Sequence, residues 1–262
     1  MLRNKTKEIV YDWDETKKRN QKLPQSFRCL IIGESSCGKT CLLLKFLLED
    51  GLLDYDNLLF VGNYLDQPKY QLIKKAFESG LTKSHIREIF QTKSCRTGKN
   101  MSLNDYFKII DGFGLKHKLE KNINVMFYGN GSTTDDEIPD PKDIDNSLNT
   151  VVVFDDTMNN KQQNIQKAYF TRGRHANCCV FYLAQSYFEL DRKSIRLNTN
   201  LLILFKLDDQ DVRNIYRDKI SRDFSLEEFK HICLKVWNKK FSYLFIDFGK
   251  SLENGRYGIN TY

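Results

Sequence analysis

Short apolar runs alternate along this chain with stretches in which apolar positions recur every three or four residues. The runs predict strands at Arg28–Ile32, Asn57–Gly62, Asn124–Tyr128, Thr150–Phe154, Cys178–Ala184, Leu201–Leu207 and Tyr243–Phe248. The amphipathic stretches predict helices at Lys39–Glu49, Pro68–Glu78, Lys83–Thr92, Asn160–Thr171, Asp209–Lys219 and Leu226–Trp237. The last opens with Ser225-x-x-Glu228, a capping box. Runs that are apolar at every position, such as Val151–Phe154, suit strands buried on both faces. Strands alternating with helices predict an α/β fold, a mainly parallel sheet covered by helices on both faces. One domain is expected over residues 24–262, with an irregular insert around 93–149. Residues 1–23 read as a polar N-terminal arm, with seven Lys/Arg against four Asp/Glu. No internal repeat is visible.

Between the first strand run and the first helix lies Gly33-Glu34-Ser35-Ser36-Cys37-Gly38-Lys39-Thr40, the phosphate-binding pattern G-x-x-x-x-G-K-T. A strand before it and a helix after it supply the context the motif requires. A triphosphate must exchange its hydration for protein donors. Backbone N–H groups from Glu34 to Thr40, at a helix N-terminus, provide them, and Cys41 closes the segment. Gly33 and Gly38 permit angles and a close approach that a Cβ would block. Lys39 brings a compact positive charge to the outer phosphates. The Thr40 hydroxyl suits Mg²⁺, which bridges phosphate oxygens. Cys37 contributes its N–H, and its sulfur suits packing better than chemistry.

The run Val151-Val152-Val153-Phe154 ends in Asp155-Asp156. In a nucleotide hydrolase the first acid holds Mg²⁺ and the second polarises the attacking water, so Asp155 is the metal-side candidate and Asp156 the base candidate. The other reading of Asp156 is a cap for the next segment of chain. The acids lie about 115 residues after Lys39, with further strand patterns between, which suits nucleotide hydrolases with an extra strand between the two motifs. No N-K-x-D guanine-reading motif occurs, so ATP is expected. The run Cys178–Ala184 ends in Gln185, placed to bond the γ-phosphate or the attacking water, or else an ordinary strand-end polar residue. Before it come Arg172 and Arg174, around Gly173 at a helix C-terminus. Either they complement the helix dipole, or one serves as an arginine finger donated to a neighbouring subunit.

Net charge is +7, which leans towards polyanionic partners. Seven cysteines without paired spacing point to reduced intracellular thiols instead of a disulfide framework or zinc site. No apolar run has membrane-spanning length and no signal-peptide pattern is present, so a soluble, intracellular protein is expected. Arg192, Lys193 and Arg196, among small polar residues, have the chemistry of a DNA-phosphate grip, and equally that of a solvated loop.

Taken in order, the phosphate loop, Val-Val-Val-Phe-Asp-Asp, Tyr169-Phe-Thr-Arg-Gly-Arg-His, the strand ending Leu-Ala-Gln and Ser194-Ile-Arg-Leu-Asn-Thr-Asn200 resemble the viral genome-packaging ATPases of the FtsK–HerA superfamily. The likeness leans to the poxvirus-type branch of large DNA viruses, virophages and polinton-like elements, and covers roughly residues 24–207. It implies a RecA-like P-loop fold and an ATP-driven motor that moves double-stranded DNA into a preformed capsid. It also implies a homo-oligomeric ring, capsid or portal-vertex partners, and action inside the host cell where virions assemble. Carried over by its spacing before Gln185, the finger falls on Arg174, with Arg172 the second choice. Asp156 stands where many members carry glutamate. A helicase or DNA-transfer motor of the same fold is the alternative, and a nucleotide switch that barely hydrolyses is a third reading.

Overall fold

The structure, a computed structural model, describes residues 23–91, 103–114, 123–129, 138–157 and 163–261. Among them, eight strands form one sheet: β1 (Arg28–Ile32), β2 (Asn57–Gly62), β3 (Asn124–Gly129), β4 (Thr150–Asp155), β5 (Cys178–Ala184), β6 (Leu201–Leu204), β7 (Leu244–Asp247) and β8 (Tyr257–Ile259). The order is β3-β2-β4-β5-β1-β6-β7-β8. The pairings from β3 across to β6 are parallel, while β6–β7 and β7–β8 are antiparallel. Strand periodicity of two sends Cys29 and Ile31 into one core and Leu30 and Ile32 into the other.

Helices cover both faces, as the continuous apolar strands require. The Cys29 face packs against α1 (Lys39–Leu48), α2 (Pro68–Glu78), α3 (Lys83–Gln91) and α4 (Leu103–Gly114), through side chains such as Phe46, Ile73, Ile86 and Ile110. The Leu30 face packs against α5 (Gln163–Arg172), α6 (Asp209–Ile215) and α7 (Leu226–Val236), through Tyr169, Phe170, Val212, Phe229 and Ile232. Phe181 ties β5 to both the chain entering β1 and helix α1, 4.8 Å from the Phe27 ring and 5.6 Å from Phe46. The capping box of α7 is formed in both directions between Ser225 and Glu228.

Several elements depart from expectation. Helix α4 lies in a stretch that reads as irregular, yet Tyr106, Phe107 and Ile110 have helical spacing and pack on the first core. The strand expected to Leu207 ends at Leu204, because the chain turns there and inserts Phe205 beneath the phosphate loop. The helix expected to Lys219 is α-helical to Ile215 and continues as a π-turn over Tyr216–Ile220. Another π-turn, Arg192–Arg196, occupies the expected charged loop. Strand β8 had no sequence signal. The polar arm, apart from Leu23, lies outside the described residues, as do parts of the expected insert at 92–102, 115–122 and 130–137. Leu23 is buried, and its N–H reaches the Leu52 carbonyl at 3.3 Å.

Candidate nucleotide-binding site

Parallel strands in register bring their C-terminal ends together. Ile32 of β1 pairs with Ala184 of β5, and Leu183 of β5 pairs with Asp155 of β4. Phosphate loop, Gln185 and acid pair thus emerge from consecutive strands at one end of the sheet. The strand lying between the two motifs in space is β5. Two backbone bonds seal this edge, Gly33 N–H to Ala184 O at 3.2 Å and Asp156 N–H to Leu183 O at 3.3 Å.

The loop is shaped by the side chains beneath it. A Cβ on Gly33 would sit 2.6 Å from the Phe205 Cβ and 2.7 Å from the Cys37 sulfur, so only glycine fits. Gly38 has φ +113°, in the region open to glycine, and heads α1 without a side-chain cap. The N–H groups of the first helical turn therefore face the cradle, where an anion is favoured. The Lys39 ammonium bonds the carbonyls of Gly33 at 2.6 Å and Glu34 at 2.8 Å, which holds it over the loop. Glu34, Ser35 and Ser36 are exposed; Cys37 to Thr40 are half-buried. Burial pushes the Cys37 thiol up, which suits a packing group. Cys41 is exposed, and its sulfur accepts from Lys69 at 3.0 Å.

The acids meet this loop through Tyr70, a residue for which the sequence carried no signal. Its buried ring packs 5.3 Å from Phe60, and its hydroxyl donates to the Asp155 carboxylate and lies in hydrogen-bonding reach of Thr40. Burial holds the Asp155 carboxyl above its ordinary range and the Asp156 charge adds to this; the Tyr70 bond and the Lys39 charge pull the other way. Burial, then Asp155, raise Tyr70 as well. Thr40 and Asp155, both in reach of the Tyr70 hydroxyl, are hard oxygen donors of the kind that suits Mg²⁺, which takes further ligands from water and phosphate. Among the described residues no cluster of three or more His, Cys, Asp or Glu could hold a metal ion.

Asp156 adopts φ 51°, a left-handed conformation that aspartate tolerates better than most residues. Asn63 donates to its carbonyl at 2.7 Å while its own N–H is bound to β5, so both flanks hold the turn. Such held, sparsely populated conformations cluster at functional sites. Gln185 is exposed beside it. The chain just after Gln185 is anchored by the buried Asp211 carboxylate, which accepts from the Tyr187 N–H at 2.7 Å and the Phe188 N–H at 2.8 Å.

Arg172 and Arg174 lie at the other end of the sheet. Arg172 ends α5 and pairs with Asp140 at 2.9 Å. Arg174 lies in the 3₁₀ turn Gly173–Ala176 that precedes β5, exposed, with its Nε 3.3 Å from His175 Nε2. Its charge reaches Arg28 at the start of β1, where burial and then Arg174 hold the guanidinium below its usual value. A strand of seven residues separates Arg174 from Gln185, about 20 Å. Neither arginine can touch this chain's own phosphate loop.

Of the expected DNA contacts, Arg196 is withdrawn from solvent. Its side chain is 5 % exposed, 3.3 Å from the fully buried Asp218 carboxylate and over the Tyr187 ring. Arg192 is exposed and bonds Asp218 at 2.9 Å, and Lys193 is exposed.

The chain matches no protein-family model and no curated protein. Solved structures resemble it in fold. The genome packaging NTPase B204 of Sulfolobus turreted icosahedral virus 2, in complex with AMPPCP, aligns at a TM-score of 0.50 and 12 % identity, over 89 % of this chain and 96 % of that one. B204 of Sulfolobus turreted icosahedral virus, a DNA-packaging ATPase, aligns at 0.48 and 12 %, over 90 % and 98 %. VirB4 of Thermoanaerobacter pseudethanolicus aligns at 0.45 and 11 %, over 85 % and 87 %. The sheet order and the phosphate loop, with the alignment at 0.50, give the chain an α/β fold of the P-loop NTPase type.

Proposed function

We propose that this chain is an ATP-hydrolysing motor that translocates double-stranded viral DNA into a preformed capsid, working as a homo-oligomeric ring. The observation that carries the reading is the split of the chemistry between the two ends of the sheet. The phosphate loop, Asp155, Asp156 and Gln185 converge at one end, while the exposed Arg174 stands about 20 Å away and is open to a second subunit.

In this reading the loop amides and Lys39 bind the phosphates, and Thr40 and Asp155 hold Mg²⁺. When bound, such an ion would supply neutralisation of phosphate charge. Asp156 takes a proton from the attacking water, and Gln185 orients it. Arg174 of a neighbour meets the charge that develops on the transferring phosphoryl group; Arg172 is less available, being paired with Asp140. Arg192 and Lys193, with the net positive charge, are offered to DNA phosphates. B204, similar in fold, is a genome packaging NTPase seen with AMPPCP, which supports the choice of nucleotide and of task. The sequence likeness to the poxvirus-type branch, with capsid or portal-vertex partners, belongs to the same proposal.

The test is the ATPase rate with and without duplex DNA, for wild type and for mixtures with Arg174→Ala. A shared site predicts stimulation by DNA and a loss steeper than the fraction of mutant subunits. Strictly proportional loss would remove the shared site. Strand unwinding with no dependence on capsids would make the chain a helicase instead.

A further inference from the structure

A nucleotide held at this site has a direction. Its γ-phosphate faces Asp156 and Gln185, on the β4 and β5 side of the loop. The nucleoside must then project the other way, over β6 and β7. Of the exposed aromatics Tyr64, Phe188 and Phe241, the first two follow β2 and β5 on the acid side. Phe241 stands on the nucleoside side. Strand β7 runs antiparallel to β6 with Leu244 opposite Leu204, so the chain enters β7 at the phosphate-loop end of the sheet.

The ring is 57 % exposed, yet it borders the cradle: a Cβ placed on Gly38 would lie 3.6 Å from it. Its backbone is at φ 64°, where a bulky side chain is an outlier. The surrounding turn holds it there. Ser242 N–H reaches Lys239 O at 3.2 Å, Tyr243 N–H reaches Asn260 Oδ1 at 3.0 Å, and Asn260 Nδ2 donates to Ser242 Oγ at 3.1 Å. The Lys240 ammonium lies 4.9 Å from the ring centroid. An aromatic ring kept in solvent, in a strained conformation, by spent polar neighbours is a feature packing does not account for.

We infer that Phe241 is the base platform of the site: the base of the bound nucleoside triphosphate stacks on its ring. This rests on the nucleotide-binding reading above and adds the nucleoside half of the pocket. Recognition is by stacking, because the Asn260 amide is occupied in holding the turn.

Equilibrium binding of Mg-ATP and of Mg-tripolyphosphate to the full chain separates the two halves. Wild type, Phe241→Gly, Phe241→Trp and Lys39→Ala are compared, with melting temperatures. Phe241→Gly should bind ATP about tenfold more weakly and leave tripolyphosphate unchanged. Its melting temperature should not fall, since glycine accepts the left-handed backbone. Phe241→Trp should retain ATP affinity, and Lys39→Ala should lose both ligands. Equal loss of ATP and tripolyphosphate in Phe241→Gly, or loss of neither, overturns the platform while leaving the phosphate site standing. Failure of wild type to bind either ligand removes the nucleotide site, and the platform with it.

Discussion

Asp155 is a carboxylate that folding half-buries, so its charge opposes folding. A folded-state value above the unfolded one means that the folded chain holds the proton more tightly. Stability attached to this group is therefore full at acid pH and declines as pH rises through the folded value. Asp155→Asn keeps an acceptor for the Tyr70 hydroxyl and removes the charge. It should raise the melting temperature of the ligand-free protein near neutral pH, with the gain shrinking towards about pH 4. A lower melting temperature would mean that Asp155 is held by structure and not strained for function. The same variant should lose Mg²⁺-dependent tightening of ATP binding. At the next residue the expected split differs. Asn tolerates the left-handed conformation of Asp156, so Asp156→Asn should fold and bind ATP like wild type. Its hydrolysis should fall a hundredfold or more, roughly the scale of a lost general base. Turnover equal to wild type in a phosphate-release assay would remove Asp156 from the base role, while negligible turnover in wild type itself would support the switch reading.

Arg196 shows how an element decides the role of a residue. The π-turn over Arg192–Arg196 turns this side chain into the interior, onto Asp218 of the second π-turn. Arg196→Ala removes the buried partner of the Asp218 carboxylate and leaves it with the exposed Arg192, so it should destabilise the protein by about 3 kcal/mol. Denaturant unfolding would measure it, and a near-neutral result with weakened DNA binding would return Arg196 to the surface. Helix periodicity foretold six of the described helices to within a few residues of their ends, because their apolar faces repeat at the helical period. Helix α4 is not legible in the sequence because Lys- and Gly-rich flanks surround its short apolar stripe. The π-turns are not legible for another reason: each adds a residue to a turn, a choice set by the partners of Arg196 and Asp218 across the fold.

At the scale of the whole molecule the sheet sorts the chemistry by end. Six neighbouring strands run parallel, so every strand-to-helix turn carrying a motif emerges at the same edge, and the segment preceding each strand lies at the other. Arg174 precedes β5 and Gln185 comes after it. Hydrolysis per subunit should accordingly climb with protein concentration as subunits associate; a flat profile would show that each chain completes its own site. Local sequence was enough to determine the strand runs, the phosphate loop, the acid pair and the α/β class, since each depends on periodicity or on a few adjacent residues. Arg172, Arg174 and Gln185 stood out in the chain as candidates, but their separation by a strand length did not. Only packing decided that Tyr70 would bridge Thr40 and Asp155, that Phe205 would floor the loop and that Phe241 would be held beside it. Those contacts join residues 30 to 200 positions apart, and no local pattern encodes them, because their energy comes from groups that meet only once the sheet has formed.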